Sequence, residues 1–381
     1  MATTTITKPI ILLTGGGTGG HLYPLLAVAD ELSTSMRGEL MLVYVGPGTS
    51  FKDEFKQRGI TTYRISGSKL RRYAALENIL DIPRFFWSII QSLAILYAVM
   101  PSAVFSKGGP GAFPVVLAAW FYRIPVVIHE SDAVPGLTNR LSAPFATRIA
   151  ISFSSAAAFF PERKTARTGI PLRKELVHPE GDHAIAKRSL GFTSDAPLML
   201  VLGGSQGSTR LNEFIAKNLH ALLAEFQVYQ QSGDTNLKDT RTQAERIVER
   251  LPVELRGRYH IAGALSADAL RTAFVAADII LTRAGASAIY EVAAAERPAI
   301  LVPLPEAASD HQRLNAGEFA ATGAATVIEE ANLSPAIVIA EAKKLLAGKN
   351  GGVTPTRTAE FLRPQAAGQI ARELVRLASI V

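Results

Sequence analysis

The sequence predicts an α/β protein of two Rossmann-like, doubly wound domains facing each other across a cleft. Three observations carry this expectation. Short β-branched runs alternate with longer helical patterns from end to end, and continuous apolar strands separated by helices make parallel sheets covered on both faces. The opening pattern, a buried strand running into glycines, occurs at residues 10–20 and again at 198–208. A length of 381 residues suits two domains of ordinary size.

In the first half, candidate strands fall at 10–13, 41–45, 62–65, 103–105, 126–129 and 148–151. In the second half they fall at 198–202, 227–230, 260–262, 279–281 and 299–302. The polar stretch 165–195 reads as a linker, which sets the domains at 1–170 and 171–360. The stretch 348–358, rich in Gly, Thr and Pro, sets off a last segment, 361–381.

Composition narrows the function classes. Hydrophobic residues make up 48% and charged residues 19%, which supports a large core and argues against disorder. There is no cysteine, so disulfides, thiolate metal sites and a cysteine nucleophile are excluded, and a reducing compartment fits. The apolar run 10–13 is too short for a signal peptide, and a cytosolic protein is expected. The net charge is +7, and its distribution is uneven: residues 1–170 carry 17 Lys+Arg against 10 Asp+Glu, while 171–381 carry 23 of each. A basic half faces an anionic surface or a phosphorylated ligand. No Lys/Arg-rich run with interleaved aromatics and no zinc-finger spacing occurs, which sets nucleic acid aside.

The first turn reads Gly15-x-Gly17-x-x-Gly20, a literal dinucleotide fingerprint. That fingerprint also needs an acidic residue at the end of the second strand to hold a ribose. Here Tyr44-Val45-Gly46-Pro47-Gly48 offers none, so NAD is set aside. Glycines still let backbone approach a ligand closely, and the following helix start favours an anion. The alternative is a plain tight turn, but the second turn, Gly203-Gly204-Ser205-Gln206-Gly207-Ser208, repeats the pattern.

In the second half, Thr282-Arg283-Ala284-Gly285-Ala286-Ser287 leads from a strand into a helix. Gly285, Ala286 and Ser287 would present N–H groups and a hydroxyl to a diphosphate. Glu291 lies four residues after Ser287, on the same helix face, where a carboxylate accepts from both hydroxyls of a ribose. Its bland reading is a surface carboxylate. Gln312 and Asn315 follow the strand ending Pro303-Leu304-Pro305 and suit sugar hydroxyls; the alternative is a helix start capped by Ser309 or Asp310. No Asp-x-Asp occurs, so no metal and no cofactor is expected. Helix dipoles and Arg173 are left to stabilise a leaving diphosphate.

Together these residues resemble the MurG family, the N-acetylglucosaminyltransferases of peptidoglycan synthesis. The matching stretches are Thr14-Gly15-Gly16-Gly17-Thr18-Gly19-Gly20-His21, His129-Glu130-Ser131-Asp132 through Asn139, Gly203 to Gly207, Arg283 to Ala286 with Glu291, and Asp310-His311-Gln312 through Asn315. The resemblance implies the GT-B architecture, UDP-N-acetylglucosamine as donor, lipid I as acceptor, and inverting transfer to the muramyl 4-hydroxyl to give lipid II. It implies that the C-terminal helix, 364–380, returns to the first domain. Donor contacts fall to Arg173, Ser205, Gly285, Ala286, Ser287, Glu291 and Gln312, with Thr18, Gly19, Gly20 and Asp132 on the donor side of the first-half loops. Gly16, Gly17 and Asn139 fall on the acceptor side. The family often has Asn where this chain has Asp132; a carboxylate beside a diphosphate is unfavourable unless turned away or paired. The alternatives are another GT-B UDP-sugar transferase acting on a glycolipid and a non-catalytic sugar-nucleotide-binding protein.

Inverting transfer needs a base and stabilisation of the departing UDP. His21, at a helix start, is the expected base, since the dipole there keeps the imidazole neutral. Glu130 and His129 are the rival or supporting pair; the bland reading of His129 is a core histidine. Residues 85–100 are apolar nearly all round and span ~24 Å as a helix, short of a bilayer crossing. They read either as a helix buried on the first sheet or as a surface that meets lipid with Lys69, Arg71, Arg72 and Arg84. The expected location is peripheral, on the anionic cytoplasmic face of the cell membrane, where cell-wall synthesis proteins are implied partners.

Overall fold

The structure, a computed structural model, describes residues 8–17, 19–48, 51–67, 77–193, 196–204, 207–348, 358 and 361–379, and only the backbone of 77–81. The chain divides into two compact units, Met1–Arg173 with Arg363–Val381, and Lys174–Leu362.

The first unit is built on strands β1 (Ile10–Thr14), β2 (Met41–Gly46), β3 (Thr61–Arg64), β4 (Ala103–Ser106), β5 (Val126–Glu130), β6 (Arg148–Ile151) and β7 (Thr165–Arg167). They form one sheet in the order β3-β2-β1-β4-β5-β6-β7, parallel at every pairing. Apolar residues face both ways from these strands, as a doubly covered sheet requires. Ile11, Leu13, Leu42 and Phe105 pack on one face with the helices Gly19–Ser35 and Ala366–Ala378, through Leu25, Leu32, Ile370 and Leu374. Leu12, Val43, Val104 and Ile128 pack on the other.

The second unit repeats the winding with β8 (Leu198–Leu202), β9 (Gln227–Gln231), β10 (Tyr259–Ala262), β11 (Ile279–Arg283), β12 (Ala299–Val302) and β13 (Ala325–Val327). Its order is β10-β9-β8-β11-β12-β13, again all parallel. In such sheets the strand order reverses at one point, and ligands bind there, beyond the carboxyl ends of the strands. The reversal lies between β1 and β4 in the first unit and between β8 and β11 in the second.

Two strands had no apolar run to announce them. β7 (Thr-Ala-Arg) and β13 (Ala-Thr-Val) are three residues long, sit at the same edge of each sheet and are at least partly exposed. The stretch 165–195 contains the boundary between the two units, after Arg173, but it is not a bare linker. It contains β7, which pairs with β6, and the helices Lys174–Val177 and His183–Ser189. Lys187 is buried there and donates to Ala196 O at 2.7 Å and Asp278 Oδ2 at 3.1 Å. Most of 348–358 lies outside the described residues.

The apolar segment is a longer helix than expected, Glu77–Val99. Its buried seam is Ser88, Ser92 and Leu96, while Ile82, Phe86, Trp87, Ile90 and Tyr97 are exposed. The two serines satisfy themselves within the helix, donating to Phe85 O and Ser88 O at 2.7 Å each. The serines therefore face the protein while Phe86, Trp87 and Tyr97 face outward, so the expectation of a plain buried helix does not hold. Trp120 and Phe121, at the end of the neighbouring helix Ala112–Phe121, are exposed as well.

Candidate active site

In the first unit, three loops gather at the carboxyl edge of the sheet. The turn after β1 is held from below: Gly16 N–H donates to Gly108 O at 2.9 Å, and the Tyr44 hydroxyl donates to Gly15 O at 3.1 Å. The turn after β4, Lys107-Gly108-Gly109-Pro110-Gly111, has positive φ at Gly108, Gly109 and Gly111. A Cβ on Gly109 would stand 2.8 Å from His21 Nε2 and 3.0 Å from the Gly16 backbone, so only glycine lets the two turns close around the His21 ring. His21 itself is only partly exposed. Burial, and then the Lys107 ammonium, pushes its pKa down to about 4, and the ring is neutral at pH 7.

The third loop follows β5 and is organised by Glu130. This carboxylate is buried and accepts from Asp132 N at 3.0 Å, Gly136 N at 3.1 Å and Asn139 Nδ2 at 2.9 Å. Burial and the Asp132 carboxylate push its pKa up, while Lys107 and the Asp132 and Asn139 hydrogen bonds pull it back. Asn139 also donates to His129 O at 3.0 Å. Glu130 and the Asn139 amide nitrogen thus fold the loop, while Asn139 Oδ1 is buried with no hydrogen-bond partner. His129 is fully buried, its Nε2 donating to Gly169 O at 2.9 Å, and burial, then Lys107, holds its pKa well below the imidazole range. It is a core histidine. Of the three catalytic candidates, His21 alone is both neutral and open to the loop surface.

Lys107 was missed by sequence reasoning. It is 3% exposed and donates to Ser131 Oγ at 2.6 Å. The signal was present: three glycines in four residues just past a strand end. Arg173 closes the first unit. Its guanidinium carbon lies 4.3 Å from the centroid of the Tyr23 ring, and that ring meets Phe51 edge-on at 5.1 Å. Gly17, Gly19, Gly20 and Asp132 border these turns, with Gly20 exposed and open space where its Cβ would be. Thr18 lies outside the described residues.

In the second unit, the turns after β8 and β11 flank the reversal point. The helix Ala286–Ala295 starts from Gly285, and the N–H groups of its first turn have no partner within the helix. Ser287 and Glu291 are both part-exposed, one turn apart. A Cβ on Gly285 would meet nothing within 4 Å. Arg283 ties the two turns together: Nε donates to Ser208 Oγ at 2.9 Å, and Nη2 pairs with Glu330 Oε2 at 2.5 Å. Glu330 also pairs with Arg210, which grips Glu306. Gln312 Oε1 accepts from Leu304 N at 3.0 Å, which leaves its amide –NH2 as the group able to serve a ligand hydroxyl. Asn315 is fully buried, near Ala284 O, and is not placed for a sugar. Ser205 lies outside the described residues.

Two doubly wound sheets, each with a glycine turn and a helix start at its reversal point, define a class of two-domain α/β proteins that bind ligands at those points. Comparison with known proteins gives the family. Residues 11–151 match the glycosyltransferase family 28 N-terminal domain, and 198–368 match the glycosyltransferase family 28 C-terminal domain. The chain belongs to glycosyltransferase family 28. It is 35% identical over 343 residues to the UDP-N-acetylglucosamine–N-acetylmuramyl-(pentapeptide) pyrophosphoryl-undecaprenol N-acetylglucosamine transferase of Clostridium kluyveri, covering 88% of this chain and 90% of the relative. The enzyme of the same name from Shouchella clausii is 36% identical over 347 residues, 89% and 91% of the two chains. Among solved structures, the MurG of Acinetobacter baumannii matches with a TM-score of 0.67 at 25% identity, covering 97% of this chain and 99% of that one. The glycosyltransferase of kitacinnamycin, at 17% identity and a TM-score of 0.70 over 97% of this chain and all of the other, shares the fold.

Proposed function

We infer that this chain transfers N-acetylglucosamine from UDP-N-acetylglucosamine to the muramyl 4-hydroxyl of lipid I, giving lipid II. The observation that carries this is similarity over nearly the whole length, at 35–36% identity, to transferases of that name. In this reading the two units divide the labour. The first holds the acceptor and the base. The second binds the donor, with the diphosphate at the Gly285–Ser287 helix start and the ribose on Glu291.

The chemistry is an inverting displacement. The acceptor oxygen bonds to the anomeric carbon as the bond to the UDP oxygen breaks, and His21 takes the hydroxyl proton. A base with a pKa near 4 is weak in the empty protein, and proton transfer is best served by a pKa near working pH. An anionic diphosphate beside the ring favours imidazolium, so binding the substrate raises the basicity of His21 when it is needed. Negative charge developing on UDP is met by the helix start and Arg173.

The test is transfer from labelled UDP-sugars to a short-chain lipid I analogue, with product identification. We expect UDP-N-acetylglucosamine to be used and UDP-glucose to be poor. Equal use of both, or no product, would refute the assignment. We propose that no divalent metal takes part, since the sequence has no Asp-x-Asp. Activity should then persist in excess EDTA; complete loss, restored by Mg²⁺ or Mn²⁺, would overturn that.

We further propose a peripheral location on the anionic cytoplasmic face of the membrane, beside other cell-wall synthesis proteins. The exposed Phe86, Trp87, Ile90, Tyr97, Trp120 and Phe121 and the basic first half support it. Arg84 is exposed beside them, whereas Lys69, Arg71 and Arg72 lie outside the described residues. Binding to anionic vesicles should exceed binding to neutral ones and weaken with salt, because charges are screened beyond about 8–10 Å. Equal or absent binding would remove the membrane from the account.

A further inference from the structure

The orientation of the Gln312 amide depends on the loop between β12 and the helix His311–Ala320. Leu304 N–H donates to Gln312 Oε1 at 3.0 Å. A backbone N–H can be met only by the amide oxygen, so this bond reserves the –NH2 end for a ligand. Within the loop, Ala307 N–H donates to Leu304 O at 3.1 Å and Asp310 N–H to Ala307 O at 2.9 Å. Ser309 and Asp310 hold left-handed φ values of 57° and 56°, a conformation unfavourable for L-residues that persists where the surroundings hold it.

Two arginines supply that hold, one at each end. Arg210 grips both oxygens of Glu306, Nη2 to Oε1 at 2.7 Å and Nη1 to Oε2 at 3.1 Å, and its Nη1 also donates to Glu330 Oε1 at 2.7 Å. Arg313 donates from Nη1 to Asp310 Oδ2 at 2.8 Å and grips Glu329 through Nε at 2.7 Å and Nη2 at 2.9 Å. Glu329 and Glu330 are neighbours shortly past β13. One pair of adjacent carboxylates thus anchors both ends of the loop, each through an arginine. A guanidinium fork meets a carboxylate with two parallel bonds, which fixes direction as well as distance. Both arginines are exposed, and exposed ion pairs add little to global stability. Their effect is local: they keep a strained surface loop in one arrangement, where opening otherwise costs little.

We propose that Arg210 and Arg313 are positioning residues that clamp the 303–310 loop and so present the Gln312 amide to the sugar of the donor. This rests on the reading of the second unit as the donor side. Neither arginine touches the donor; both act through the loop whose Leu304 N–H holds the Gln312 oxygen.

The clamp predicts a pattern that arginines serving only the fold would not give. Arg210→Gln and Arg313→Gln should each weaken UDP-N-acetylglucosamine binding roughly threefold, and together about tenfold. UDP, which lacks the sugar, should bind these variants as it binds the wild type. Gln312→Ala should weaken the UDP-sugar as well. Adding both arginine substitutions to it should cost little more, since residues acting through one contact are not additive. Melting temperatures should hardly move. The experiment is calorimetric titration of UDP and of UDP-N-acetylglucosamine into the full chain and these variants, with thermal melts alongside. Unchanged UDP-sugar affinity in the double arginine variant, equal losses for UDP and the UDP-sugar, or losses that add in full to that of Gln312→Ala overturn the clamp. A loss of affinity that comes only with a large fall in melting temperature also overturns it, because the arginines would then hold the fold at large. Where the wild type binds the UDP-sugar, any of these results sinks the clamp alone. Wild-type protein that binds neither ligand sinks the donor reading and the clamp with it.

Discussion

The two units share a winding and differ in where they put charge. Around the reversal point of the first, the polar groups are drawn in: His21 is enclosed by two glycine turns and only partly exposed, Lys107 is 3% exposed, and Glu130 spends both oxygens on its own loop. Around that of the second, Ser287 and Glu291 stay part-open, while Arg283 and its Glu330 partner are drawn in, where they tie two turns together. Burial tunes protonation, because desolvation moves a pKa; open groups on a stiff frame bind without being retuned. In the function proposed above, the same fold serves the chemistry in one unit and ligand capture in the other. Changes in the first should act mainly on kcat or on the acceptor, and changes in the second on donor affinity.

The largest expected effect is His21→Ala, which should lower kcat by roughly 10²–10⁴ and leave UDP affinity nearly unchanged. The pH profile sharpens this. The ring is active when neutral, so activity is lost as pH falls through its pKa. In kcat/KM, which reports the free enzyme, that limb should lie near pH 4. In kcat, which reports the substrate complex, it should lie higher, because the bound diphosphate favours imidazolium. A His21→Ala protein with near-normal kcat, or with the same acid limb, would move the base elsewhere.

Glu291→Ala comes next and tests the second unit. Losing a charged hydrogen-bond acceptor for the ribose should raise the donor KM roughly 10- to 100-fold. Because Glu291 is part-exposed on a helix surface, the melting temperature should hardly move. A fall in kcat at unchanged donor KM would contradict the division of labour between the units.

The same contrast explains what could be read from sequence. Both sheets were legible because apolar runs such as Ile10–Thr14 and Leu198–Leu202 are buried on both faces. The edge strands β7 and β13 were not, since a half-exposed edge needs no hydrophobic run. In the second unit both turns at the reversal point were read, since their small residues follow strong strands. In the first, the turn after β4 went unread, because its function rests on positive-φ glycines and a lysine whose partners lie 24 residues on. Spacing along the chain says nothing of that contact. It also made Glu130 and His129 look like bases, when both are engaged inside the fold.

The smallest expected effect belongs to Tyr23, and it crosses the division just drawn. Tyr23 lies in the first unit, two residues past His21, yet it carries Arg173 on its face, and Arg173 is read as a donor contact. Stacking on an aromatic ring is worth about 0.5–2 kcal/mol, so Tyr23→Leu should weaken UDP binding roughly 2- to 30-fold by freeing the guanidinium. Tyr23→Phe keeps the ring face and its edge-on contact with Phe51, and should bind UDP as the wild type does. If the tyrosine acts only through the arginine, Tyr23→Leu should cost nothing further in an Arg173→Ala background, since neighbours that share one interaction are not additive. Calorimetric titration of UDP into the wild type and these four variants measures this directly. Additive losses would mean that Tyr23 acts by packing on the helix core, and an Arg173→Ala protein with unchanged UDP affinity would mean that the donor is held by the second unit alone.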